Sequence, residues 1–150
     1  MIRRPPRSTL DRSSAASDVY KRQLFDWMQE QGMRWHQMSE IETRGFDSVL
    51  DDAISEALDG PELIYLSVDI DVLDPAFAPA TGTPEPGGLT SVELLRAIRT
   101  IVGSVETIAA DVVEVAPDYE GPANITAEAA LRVILEILSS LAKKKNLAKT

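Results

Sequence analysis

The run SVDIDVLDP (67–75) sets Asp69 and Asp71 two residues apart at the end of an apolar stretch. If the strand continues through them, both carboxylates point to one side. Two carboxylates that close repel each other unless a cation neutralises them. Hard oxygen donors of this kind suit Mg²⁺, Ca²⁺ or Mn²⁺. The competing reading is that the aspartates only cap the following loop through its N–H groups. For Asp74, which precedes Pro75, that turn role is the better reading. Further along, Glu114 breaks the apolar end of ADVVEVAP (110–117). A carboxylate there can receive a cationic guanidinium or ammonium, ideally through two oxygens. The alternative for Glu114 is an internal ion pair with Arg96, Arg99 or Arg132. Asp111, inside the same run, reads as a buried, hydrogen-bonded structural acid.

Between the two acidic positions lies AFAPATGTPEPGG (76–88), with Pro79, Pro84 and Pro86 interleaved with Gly82, Gly87 and Gly88. Proline fixes φ and glycine permits positive φ, so the segment reads as an ordered wall beside the acids. Thr81 and Thr83 offer hydroxyls to a ligand or to the loop's own backbone. His36 reads as a partly exposed side chain rather than a ligand or base. Trp27 and Trp35 read as core or interface residues.

The elements that must position these groups follow from periodicity. LFDWMQEQG (24–32) predicts a short helix closed by glycine, and Met33–Trp35 a short strand. Ser39 and Glu42 have capping-box spacing. Phe46, Val49, Leu50, Ala53, Ile54, Ala57 and Leu58 form one helical stripe, stopped by Gly60-Pro61. Leu63–Val68 has the pattern of a buried parallel strand. Thr90 and Glu93 predict a capping box opening a helix to about Val102, with Val92, Leu95, Ile98 and Val102 on one side. Val105–Val113 predicts a second buried strand, followed by a turn at Pro117–Tyr119. A final helix over about Thr126–Lys143 is apolar around most of its circumference and should be well buried. Strands alternating with helices imply an α/β fold with a parallel sheet covered by helices. Ligands of such sheets sit outside the carboxyl ends of the strands, where Asp69, Asp71 and Glu114 fall.

Composition narrows the function classes. The chain has 150 residues, 44% hydrophobic and 26% charged, with 15 Lys and Arg against 24 Asp and Glu. A net charge of -9 argues against a nucleic-acid or anionic-membrane surface. The absence of cysteine excludes disulfides, thiolate zinc sites and cysteine nucleophiles, and one histidine cannot build a multi-histidine metal cage. No apolar run approaches the roughly 20 residues that span a bilayer. These features point to a soluble, cytoplasmic protein. Residues 1–23 hold six of the fifteen basic residues and only two of the acids, are rich in Arg, Ser and Pro, and show no apolar period. They read as a disordered or non-native segment, and they resemble translated sequencing-adapter DNA.

Taken together, SVDIDVLDPAFAPATGTPEPGGLT, DVVEVAPDYE and NITAEAALRVILEIL resemble the ureohydrolase family of arginases, agmatinases and related guanidino-acid hydrolases. The similarity covers roughly residues 24–150, is most specific in Ser67–Gly88, and is closest in character to bacterial agmatinases. It implies a three-layer α/β/α fold with a parallel sheet. It also implies two Mn²⁺ ions that activate water against a guanidinium carbon, releasing urea. Carried over by motif, Asp69 and Asp71 would be metal ligands, Glu114 would hold the substrate guanidinium, and Thr83 would line the pocket near it. Agmatine is the first substrate expected, and homo-oligomers are implied for the complete enzyme. The family's upstream GGDH-type and D-A-H-x-D segments, and its proton-transferring histidine, have no match here. The chain therefore resembles only the C-terminal part of a ureohydrolase, and no residue is assigned as catalytic. Acting alone, it is expected to be inactive.

Two other readings compete. Asp69-Ile-Asp71-Val fits the nucleophile motif of haloacid-dehalogenase-type phosphatases, but those need a later lysine at a strand end. Here the lysines are confined to Lys21 and the C-terminal tail. A non-catalytic interaction module is the second alternative, favoured by the incomplete ligand set.

Overall fold

The computed structural model describes residues 23–147. The expectation for residues 1–23 lies almost wholly outside them. The described chain divides into two units between Trp35 and His36.

In the first unit, residues 23–30 are helical (α1) and end in a turn at Gly32, whose φ of 77° needs no side chain to be accommodated. The strand expected at Met33–Trp35 is not formed; that segment is irregular. Trp27 is half exposed, and Trp35 stacks at 5.3 Å on Phe25, so neither tryptophan is a core residue here.

In the second unit the order is α2 (Met38–Arg44), α3 (Phe46–Ala57), β1 (Leu63–Asp69), α4 (Ser91–Ser104), β2 (Glu106–Val113) and α5 (Ile125–Leu147). Short 3₁₀ turns occupy Ile70–Val72 and Pro117–Tyr119. The expected capping box at Ser39 and Glu42 is absent. The helix begins two residues earlier, capped by Gln37 without a side-chain bond, and Thr43 turns its hydroxyl back onto the Ser39 and Glu40 carbonyls. The second capping box forms in full. The Thr90 hydroxyl accepts from the Glu93 N–H, and the Glu93 carboxylate accepts from the Thr90 N–H.

β1 and β2 pair in parallel from Leu63↔Glu106 to Asp69↔Val113, with an irregularity after Ile64. Parallel pairing requires a crossover, and α4 supplies it. Ile98, Val102, Val133 and Ile137 of α4 and α5 pack with Val68, Ile70 and Leu73 into one core, which Leu66 and Val112 join from the sheet.

Four burial expectations are corrected, and the first is β2, which buries only Thr107 and leaves Ile108 64% exposed. β1 is not buried on both faces: Leu63 and Tyr65 are more than half exposed, because among the described residues helices meet only the Leu66–Val68 side. α5 buries Thr126, Ala130, Val133 and Ile137, but Leu131, Ile134, Leu135 and Leu138 stay exposed. On α4, Val92 is 69% exposed, because at the second helical position it lies before the stripe that faces the core.

Candidate functional site

β1 ends at Asp69, and the chain then tightens into a 3₁₀ turn, so the strand does not carry on through Asp71. The Asp69 carboxylate caps that turn, accepting the Asp71 N–H at 3.2 Å. The two acids are nevertheless adjacent. The Asp69 carboxyl is held above its ordinary range, first by partial desolvation, with the Asp71 carboxyl and the charge of Glu114 adding to it; the bond from the Asp71 N–H pulls the other way. Asp69, Asp71 and Glu114 therefore share one electrostatic neighbourhood at the carboxyl ends of β1 and β2.

The Pro/Gly loop closes this neighbourhood. Thr83 donates its hydroxyl to Asp71 Oδ2 at 2.8 Å, which places it beside the aspartate pair. Gly82 lies near Glu114: a methyl group built there would lie 3.5 Å from Glu114 Oε2. Asp74 takes the turn role, accepting the N–H groups of Ala76 and Gly87, each at 2.8 Å, and these bonds hold its carboxyl below the ordinary range. The two ends of the loop are joined by an isolated parallel bridge between Leu73 and Leu89. Thr81 is 2% exposed, and its hydroxyl meets no hydrogen-bond partner among the described residues.

Glu114 follows β2 with a φ of 63°, a left-handed conformation unusual for a residue with a side chain. None of the three expected arginines pairs with it. Arg96 meets Asp47, while Arg99 and Arg132 meet Glu136. Asp111 is hydrogen-bonded as expected: one carboxylate oxygen accepts the Tyr65 hydroxyl across the strands and interacts with Ser67, which lowers its pKa. Its other oxygen is buried without a partner. His36 lies away from the acids' loop, between Glu40 and Glu56 at 3.1 and 3.3 Å.

Among the described residues no three His, Cys, Asp or Glu side chains are grouped closely enough to hold a metal ion. The arrangement supplies two hard carboxylate donors, a third carboxylate nearby, and an ordered polar wall. Two ties that hold this wall to the rest of the fold, from the Ala80 N–H to the Thr126 hydroxyl and from the Ala116 N–H to the Ala80 carbonyl, left no sequence signal, because both use the Ala80 backbone.

The arginase family model matches residues 14–139. The chain belongs to the arginase family. It is 55% identical over 76 residues to an agmatinase of Halalkalibacterium halodurans, covering 50% of this chain and 26% of that protein. It is 39% identical over 105 residues to a guanidinobutyrase of Pseudomonas aeruginosa, covering 70% and 32% respectively. Among solved structures, a proclavaminate amidino hydrolase from Streptomyces clavuligerus superposes with a TM-score of 0.70 at 39% identity, over 79% of this chain and 39% of that one. The fold is thus the arginase-like α/β fold, and this arginase-family chain spans between a quarter and a third of the length of these two curated relatives. No helix among its described residues is long and apolar enough to cross a membrane.

Proposed function

We propose that residues 24–150 form the C-terminal portion of a ureohydrolase domain and contribute part of its site. In this reading Asp69 and Asp71 are ligands for Mn²⁺, Glu114 receives a guanidinium, and Thr83 lines the pocket. The reaction is hydrolysis of a guanidino compound, agmatine first, to an amine and urea. The observation that carries the reading is the placement of Asp69 at the end of β1, Asp71 just past it and Glu114 just past β2, with one loop supplying both Thr83, bonded to Asp71, and Gly82, next to the Glu114 carboxylate. Such a cluster is relieved by positive charge, from a cation or from a substrate.

The donor set fits manganese in kind, since carboxylate oxygens suit it. Bound Mn²⁺ would supply water of lowered pKa and polarise the group under attack. The chain's own residues do the rest of what is proposed. Glu114 offers two oxygens to the planar fork of a guanidinium, a match that an ammonium cannot reproduce. Thr83 holds Asp71 in one orientation through its hydroxyl. Two aspartates are a partial ligand set, and GGDH-type or D-A-H-x-D segments do not occur in these 150 residues. Hydrolysis by this polypeptide therefore requires donors that it does not itself contain.

Titration of the full chain with agmatine in the presence of Mn²⁺, followed by NMR, tests the substrate side. Shifts are expected at Glu114 and in the loop 80–83, and Glu114→Gln is expected to abolish them. Unchanged binding by Glu114→Gln would refute the role of Glu114. With Mn²⁺ and agmatine the chain alone is expected to release no urea, and rapid release would refute the partial-site reading.

A further inference from the structure

We infer that Thr126, the second residue of α5, is a positioning residue for Glu114 that acts through the backbone of Ala80; the functional meaning rests on the reading of Glu114 as the guanidinium acceptor. Thr126 and Ala80 are both 0% exposed. The Thr126 hydroxyl oxygen accepts the Ala80 N–H at 2.8 Å, across 46 residues of sequence. The carbonyl of the same Ala80 accepts the Ala116 N–H at 2.9 Å. Ala116 lies two residues beyond Glu114, so this bond pins the turn in which Glu114 is held at its positive φ. Beyond Ala80 the chain passes through Thr81 to Gly82, where an added methyl group would lie 3.5 Å from Glu114 Oε2.

One buried residue, Ala80, thus connects the helix, the loop and the turn that carries the acid. A positive φ at a glutamate persists only where its surroundings over-determine it. The bond from Ala116 to Ala80 is such a constraint, and it is fixed only if Ala80 is itself fixed. Thr126 does this with a side chain, the one link in the relay that substitution can remove. No charge or metal is involved, so the relay operates whether or not the site is loaded.

Thr126→Val removes the acceptor at nearly constant volume, and Thr126→Ser keeps it. Amide hydrogen exchange on the full chain is the direct test. In Thr126→Val the Ala80 and Ala116 amides are expected to exchange about tenfold faster or more, while sheet amides such as that of Leu66 keep their rates. Thr126→Ser should restore both. Equal acceleration throughout the chain, or an unaltered Ala116 amide, would overturn the inference. Should Thr126→Val fail to fold, wild-type exchange decides: Ala80 and Ala116 are expected to open as one unit, and independent opening would overturn it. The agmatine titration separates the two readings. If Glu114→Gln weakens binding and Thr126→Val does not, the positioning role falls alone. If Glu114→Gln changes nothing, the role of Glu114 falls and the positioning role falls with it.

Discussion

Thr83 and Asp71, twelve residues apart, are joined by a hydrogen bond of 2.8 Å from hydroxyl to carboxylate. This bond ties the far arm of the Pro/Gly loop to the turn that leaves β1. It commits one Asp71 oxygen to the protein. Asp69 is committed in the same partial way, through the Asp71 N–H. The pair is therefore held in place by the chain itself.

Two glycines of the loop should respond oppositely to alanine. At Gly88 a methyl group would sit 2.5 Å from the Asp74 nitrogen and 2.7 Å from the Val72 oxygen, both backbone atoms. Gly88→Ala is expected to destabilise the fold by roughly 3 kcal/mol, at the upper end for overpacking. At Gly82 the nearest atom is 3.5 Å away, an ordinary contact. Gly82→Ala should fold with a loss under about 1 kcal/mol. Urea denaturation of both variants checks the contrast.

The α4 stripe gives a second contrast. Ile98 is 1% exposed and Val92 69%. Ile98→Ala is expected to cost about 2–5 kcal/mol, whereas Val92→Ala should stay within about 0.5 kcal/mol. Equal effects in chemical denaturation would contradict the placement of α4 on the core.

The capping box makes stability pH-dependent. Glu93 is held below the ordinary carboxylate range, first by the Thr90 N–H, then by the Thr90 hydroxyl and the charge of Arg96, against some desolvation. A depressed carboxyl contributes stability that is complete above its unfolded pKa and is lost as pH falls through the folded one. Thermal melts from pH 7 down to pH 3 should show Glu93→Gln losing less stability on acidification than the parent. Parallel curves would contradict this.

Much of this architecture was legible in the sequence because it rests on local chemistry. Thr90 and Glu93 announced their helix by spacing alone, and Asp74 before Pro75 announced its turn. The acids at the ends of β1 and β2 were legible because an apolar strand running into carboxylates is costly without a purpose. What could not be read depended on partners distant in sequence. The apolar runs of β1 and α5 predict burial, but Tyr65 and Leu138 are exposed, since burial is a property of what packs on a face and not of the run itself. Ser39 and Glu42 have the spacing of a capping box without its geometry, because the helix starts two residues earlier. The tie between Thr126 and Ala80 was invisible, being a contact between a helix side chain and a loop backbone.

The central claim is that Asp69 and Asp71 offer carboxylate oxygens to a divalent cation. Counting free Mn²⁺ by electron paramagnetic resonance during titration of the full chain tests it most directly. The parent is expected to bind Mn²⁺ weakly, as a partial ligand set should, and Asp69→Asn and Asp71→Asn are each expected to abolish that binding while the chain stays folded. Binding that persists unchanged in both variants would contradict the account.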